Sequence, residues 1–212
     1  MNRTSLLVLL ALVAFLAVPA GAQTITQVTN NGSGFYDQYP AISEDGLTCA
    51  WCGKDPVTNT NQVWVADLKN LVSTMITSGA GLPIPYPIGI SGDGTTVVYS
   101  SSNNIWVVPA AGGVAKQVTN YTGTKRVQTY GITVSRDGQF ACYTTYNSTG
   151  PIYDIEVVDT TTGAVVNLTQ HTTSDVGMGG ISGDGKLVAF SANRGNVADQ
   201  IWVANRDGTN IR

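Results

Sequence analysis

Few side chains in this 212-residue chain combine the type and spacing that catalysis needs. Cys49-Ala50-Trp51-Cys52 has the CxxC order of a redox dithiol. Redox work calls for a stabilised thiolate, usually at a helix N-terminus. Here the pair lies inside an apolar strand pattern, where residues three apart point to opposite faces. Both cysteines therefore read as small core residues. With Cys142 the count is three, and an odd count in an exported chain leaves at least one thiol unpaired. Three scattered cysteines and one histidine, His171, are too few for a zinc set, so no metal is expected. A hydrolase needs a nucleophile and a base. His171 follows Asn167-Leu168-Thr169 and opens a polar loop, and the chain has no Gly-x-Ser-x-Gly elbow. Glu156 and Asp159 lie in or just after a strand pattern, without the paired context of a glycosidase. No Asp-x-Asp-x-Asp-Gly calcium loop is present. The expectation is binding without turnover and without a cofactor.

The elements that would position a binding site come from a repeat. Ser-x-Asp-Gly occurs four times: Ser43-Glu44-Asp45-Gly46, Ser91-Gly92-Asp93-Gly94, Ser135-Arg136-Asp137-Gly138 and Ser182-Gly183-Asp184-Gly185. The steps between the aspartates are 48, 44 and 47 residues. Each copy follows a short apolar segment ending in Ile42, Ile90, Val134 or Ile181. Each precedes a strand with an aromatic in register: Trp51, Tyr99, Tyr143 and Phe190. A third strand follows, carrying Val63-Trp64-Val65, Ile105-Trp106-Val107, Ile155-Glu156-Val157 or Ile201-Trp202-Val203. Ile76-Thr77, Val118-Thr119 and Leu168-Thr169 mark a fourth in the first three copies. Asp-Gly between apolar runs is a tight turn, because Gly accepts the positive φ that other residues avoid. Alternation with period two puts one side of each strand against a neighbouring unit. No unit can bury both faces alone, and stacking units around an axis buries them.

Residues 181–208 carry Ile-Ser-Gly-Asp-Gly-Lys-Leu-Val-Ala-Phe-Ser, then Gln-Ile-Trp-Val-Ala-Asn-Arg-Asp-Gly. This pattern resembles the TolB-like, or WD-like, β-propeller repeat. The resemblance covers nearly the whole chain after its leader. It implies an all-β propeller of four four-stranded antiparallel blades, over about residues 31–79, 80–120, 121–170 and 171–212. One departure is that Glu44, Gly92, Arg136 and Gly183 stand where the family carries Pro.

Residues 1–22 read as a secretory signal peptide. Arg3 supplies a basic start, residues 6–18 an apolar run too short to span a bilayer, and Ala20-Gly21-Ala22 a cleavage pattern. Residues 23–212 then form the propeller domain, periplasmic or secreted, with no stable membrane insertion. Charged residues are 12% of the chain and net charge is −3, which excludes the basic face of a nucleic-acid binder. Thr24-Ile25-Thr26-Gln27-Val28-Thr29-Asn30 matches Lys116-Gln117-Val118-Thr119-Asn120, so the N-terminal strand is expected to complete the last blade. Ring size stays open between four blades, two chains in a homodimer, and a longer protein.

Ligands of propellers meet the starts of the innermost strands. Those positions carry Asp37 and Tyr39, Tyr86, Tyr130, and Asp175 and Met178. Tyrosines at comparable heights form an aromatic rim suited to a protein, peptide or glycan. Two functional readings follow. One is a non-catalytic scaffold that binds an envelope or extracellular protein partner, as the resemblance implies. The other is the propeller portion of an exported enzyme, such as a prolyl-oligopeptidase-type peptidase, or a small glycan-binding or lyase propeller.

Overall fold

The computed structural model of the chain describes residues 25–31, 36–78, 87–150, 152–170, 176–193 and 199–212. The expected leader over residues 1–22 lies outside them.

Fifteen strands and no helix form among the described residues. They build four antiparallel sheets in chain order. The first holds β1 (Gln38–Ile42), β2 (Thr48–Lys54), β3 (Asn61–Asp67) and β4 (Val72–Met75). The second holds β5 (Ile88–Ile90), β6 (Thr96–Ser101), β7 (Asn104–Pro109) and β8 (Lys116–Gln117). The third holds β9 (Lys125–Val134), β10 (Phe140–Asn147), β11 (Ile152–Asp159) and β12 (Val165–Asn167). The fourth holds β13 (Val176–Ile181), β14 (Leu187–Ala192) and β15 (Gln200–Asn205).

The repeated tetrapeptide folds the same way each time. Gly46, Gly94, Gly138 and Gly185 take φ of 72°, 71°, 72° and 67°. Their amides donate to the carbonyls of Ser43, Ser91, Ser135 and Ser182 at 2.9–3.0 Å. Each serine hydroxyl donates to the aspartate two residues on at 2.6 Å. The same hydroxyl accepts the amide of Thr48, Thr96, Phe140 or Leu187 at 2.9–3.0 Å. Side chains thus satisfy the backbone groups that a tight turn would otherwise strand. Successive turns are also tied together: Glu44 N donates to Gly92 O, Asp93 N to Arg136 O, and Arg136 N to Gly183 O.

Three apolar seams lie between the four sheets. The first packs Ala50, Val63, Val65 and Ile76 against Ile88, Ile90, Val97, Tyr99 and Val108. The second packs Val98, Ile105 and Val118 against Val127, Ile132, Tyr143 and Val158. The third packs Cys142, Ile155, Val157 and Leu168 against Val188, Phe190 and Ala204. The aromatics expected in register, Tyr99, Tyr143 and Phe190, fill the seams. Each such side chain contributes roughly 1.5–3 kcal/mol by leaving water.

Among the described residues the N-terminal segment forms no strand and joins no sheet. Residues 25–31 are an irregular segment. They lie beside the first sheet, where residues 28–31 line a cleft with Trp51, Trp64 and Ser73. The position beside β15 is begun by the chain's own C-terminal residues, with Val203 and Arg212 exchanging backbone hydrogen bonds at 2.9 and 3.0 Å. No backbone pairing among the described residues joins the first sheet to the fourth.

Candidate functional site

Three of the four innermost strands bulge at one level, opposite the end bearing the turns. In β1, Gln38 pairs with Cys52 and Ala41 with Ala50, so residues 39–40 oppose Trp51 alone. In β13, Val176 pairs with Ala192 and Gly179 with Phe190, so residues 177–178 oppose Ser191. In β9, Ile132 pairs with Tyr143 and Val127 with Thr145, so residues 128–131 oppose Thr144. A bulge re-aims the side chains it carries. Tyr39, Tyr130 and Met178 are all bulge residues, and Tyr39 and Gly131 take φ of 57° and 138°.

The third and fourth sheets bring two of the expected residues together. Tyr130 is 51% exposed and Met178 56% exposed. The two strands are tied by Ile181 N donating to Thr133 Oγ1 at 3.0 Å. Gly131, at φ 138°, brings the two strands close, since a Cβ there would stand 2.8 Å from Met178 Sδ. Tyr130 leans on Tyr153, with ring centroids 6.1 Å apart, and Tyr153 on Tyr146 at 4.8 Å. The Arg126 guanidinium lies 5.0 Å from the Tyr146 ring centroid. The result is an exposed patch of three tyrosines, one thioether and one cation at the end of a seam. Sequence reasoning missed Tyr146 and Tyr153, which lie on β10 and β11, and Arg126, which lies at the start of β9 itself. The cross-strand pairs Tyr146↔Tyr153 and Tyr146↔Arg126 create the cluster.

Asp37 and Tyr39 lie elsewhere, on the first sheet. Asp37 accepts from Asn31 Nδ2 at 2.6 Å. It shares a cleft of about 310 Å3 with Trp51, Lys54 and Trp64. The two indoles are stacked, with centroids 6.4 Å apart and planes 16° apart. Gly53 is required here by close approach, because a Cβ would meet Asp37 Oδ1 at 2.5 Å. In the second and fourth sheets the matching indoles donate to backbone: Trp106 Nε1 to Ser101 O and Trp202 Nε1 to Ala192 O, each at 3.1 Å. The buried Trp64 Nε1 has no partner. Tyr86, Asp175 and His171 lie outside the described residues.

The third sheet carries Glu156 where the other three carry Trp. Glu156 is 1% exposed. It accepts from the Tyr121 hydroxyl and from Lys125 Nζ, the latter at 2.5 Å. The Tyr121 and Tyr143 hydroxyls are 2.7 Å apart. Burial, with the neighbouring hydroxyl and carboxylate, pushes the Tyr121 phenol well above its ordinary range. Asp159 instead caps its own turn, accepting the amides of Thr161 and Thr162 at 2.9 Å. The two acids thus have separate structural partners.

The three thiols are free. Burial pushes Cys52 up to about 11, with Asp37 adding to the effect, and Cys142 up to about 12. Cys49 is raised by burial as well. None is poised as a nucleophile. Among the described residues, no cluster of three or more His, Cys, Asp or Glu side chains could hold a metal ion. No helix among them is long and apolar enough to cross a membrane.

No protein-family model matches the chain. No curated protein matches it either. Solved structures do. Oligogalacturonate lyase from Vibrio parahaemolyticus superposes with a TM-score of 0.63 at 17% identity, over 81% of this chain and 50% of the lyase. TolB from Acinetobacter baumannii gives 0.56 at 21% identity, over 83% of this chain and 42% of TolB. A structure of the nidogen/laminin complex gives 0.55 at 16% identity, over 81% of this chain and 62% of its match. The fold is therefore that of TolB-like β-propellers. The chain spans between two-fifths and two-thirds of the length of these three structures.

Proposed function

We propose that the chain is a non-catalytic, exported β-propeller scaffold of the cell envelope, periplasmic or secreted, which holds a protein or peptide partner. The observation that carries this reading is the Tyr130–Met178 patch. Tyrosine offers a large apolar face with a polar tip, and methionine adapts its shape to what it meets. Arg126 adds a donor beside the rings, and aromatic residues, methionine and arginine are enriched where proteins meet. The likeness to TolB and to a structure of the nidogen/laminin complex supports a protein partner in general terms.

The test is retention of envelope proteins from an extract by the immobilised chain. Tyr130→Ala and Met178→Ala should each reduce the retained partner at least tenfold, as truncating a central anchor does, with the melting temperature unchanged. Equal retention by wild type and both variants overturns the patch. Turnover of any member of a panel of peptides and oligogalacturonates overturns the non-catalytic part.

A further inference from the structure

We infer, resting on the protein-partner reading above, that the partner meets the Tyr130–Met178 patch with a proline-rich segment in the polyproline II conformation, flanked by a carboxylate that Arg126 takes.

Three rings stand in a row drawn from three strands: Tyr130 on β9, Tyr153 on β11 and Tyr146 on β10. Their centroids step by 6.1 and 4.8 Å, and successive planes are tilted by 43° and 46°. Tilted neighbours leave notches between the rings rather than one flat platform. A sugar ring needs a flat face to stack on, whereas grooves between aromatic side chains are what proline-rich segments dock into. Two residues of polyproline II span ~6 Å, close to the step from ring to ring.

Tyr146 and Tyr153 are direct cross-strand partners, so the row crosses the strands. A segment lying along it cannot add itself to a sheet edge, and strand pairing, another common way to hold an extended peptide, is closed to it. Recognition falls to side chains, which suits a backbone with no internal hydrogen bonds and its carbonyls free. Tyr130 is 51% exposed and offers its hydroxyl to one of those carbonyls. Polyproline II is preformed in the free peptide, so little ordering entropy is lost on docking.

Arg126 sets the direction. Its guanidinium lies 5.0 Å from the Tyr146 ring centroid, at one end of the row. It is exposed and forms no ion pair among the described residues, whereas its neighbour Lys125 is held by Glu156. The planar fork is left for a carboxylate, which it grips with two parallel hydrogen bonds. At the other end Met178, over Gly131 and 56% exposed, gives an adaptable apolar contact. Roughly five residues of polyproline II, at ~3.1 Å each, reach from one end to the other. The segment therefore carries prolines and one bulky apolar side chain over the rings, and an acidic residue beyond Tyr146.

Two fluorescent peptides test this by polarisation against the full chain: Pro-Pro-Leu-Pro-Pro with an aspartate before it, and the same sequence with the aspartate after it. One of the two should bind with a micromolar Kd. Lysine in place of that aspartate should weaken binding about tenfold, and Arg126→Gln should remove the difference between the two peptides. Glycine in place of the prolines should also weaken binding about tenfold, since the free peptide is then no longer preformed. Tyr130→Ala and Met178→Ala should each abolish probe binding with the melting temperature unchanged. Val114→Glu, at an exposed site away from the patch, should leave it intact. Failure of both probes to bind overturns the inference; if the wild-type chain still retains an envelope protein through the patch, the protein-partner reading stands without it. Probe binding that survives both alanine variants, or that does not distinguish aspartate from lysine, overturns it as well. So does patch-dependent binding of an oligogalacturonate in place of both probes, which makes the site one for glycans. Probe binding with no envelope protein retained supports the proline-rich segment and counts against the scaffold reading.

Discussion

Arg136 Nη2 donates to Glu44 Oε1 at 2.5 Å, so the first and third sheets touch across the turn of the second. Gly92 makes the room. A Cβ at Gly92 would stand 2.9 Å from Glu44 Oε2 and 3.0 Å from Arg136 Cα. These three residues occupy the position where the related repeat carries proline, and their convergence near the axis explains the departure. Gly92→Ala should cost about 1–3 kcal/mol, since backbone cannot step aside. Glu44→Ala should cost under about 1 kcal/mol, because the ion pair is exposed. Urea unfolding of both variants measures the contrast.

The turn aspartates predict an acid limb. Hydrogen bonds from serine hydroxyls and then from backbone amides hold Asp45, Asp137 and Asp184 below the usual carboxylate range. For Asp93, burial pushes upward, and the bonds from Ser91 and Thr95 outweigh it. A carboxyl whose folded value is depressed contributes stability that is complete above its unfolded value of about 3.9. That contribution is lost as pH falls through the lower folded value. The melting temperature should hold from pH 7 to about pH 5 and fall below about pH 4. Asp137→Asn should melt lower at pH 7 and show a shallower acid limb.

The Glu156 cluster predicts an asymmetric response to mutation. Lys125→Met leaves a buried carboxylate without its cation and should destabilise by about 3 kcal/mol. Glu156→Gln removes the charge and keeps an acceptor for Tyr121, so it should cost less. Chemical denaturation of the two single variants and of the double variant gives the coupling, which should exceed about 1 kcal/mol if the groups act as a unit.

The thiols should be silent in the folded protein. A raised value lowers the thiolate fraction at any pH below it, so Cys52 and Cys142 are almost wholly protonated at pH 8. A thiol-titrating reagent should leave these two unreacted in the native state and find all three cysteines free after unfolding. Loss of two thiol equivalents in the unfolded chain would reveal a Cys49–Cys52 bridge, which the strand geometry opposes: the two lie three residues apart on β2, so their side chains point to opposite faces.

Much of the architecture was legible because it is local. Serine, aspartate and glycine at fixed spacing build a turn from their own hydrogen bonds, with no need of the rest of the molecule. Tyr130 and Met178 were legible as inner-strand residues by counting back from the serine. Their meeting was not, because it depends on the bulge at residues 128–131, where extra residues change which way a side chain faces. The Glu156 cluster was visible only as an acid in a tryptophan's place. Its partners come from a loop and two other strands, and burial decides what such a group does.

The N-terminal segment draws the same line. Its likeness to an outer strand is real, in that Val28-Thr29 matches Val118-Thr119. Likeness says which kind of edge it can complete and nothing about which edge is near. By itself the sequence determined the repeat, the turns, the strand order within each sheet and the faces that must be buried, because each follows from interactions within some 45 residues. Only the tertiary structure decided which sheets pack on which, that Ile201 and Ile42 face outward, and that residues 28–31 line a cleft with Trp51 and Trp64. Those placements follow from packing at three seams, where side chains from successive repeats interlock, and no single repeat encodes them.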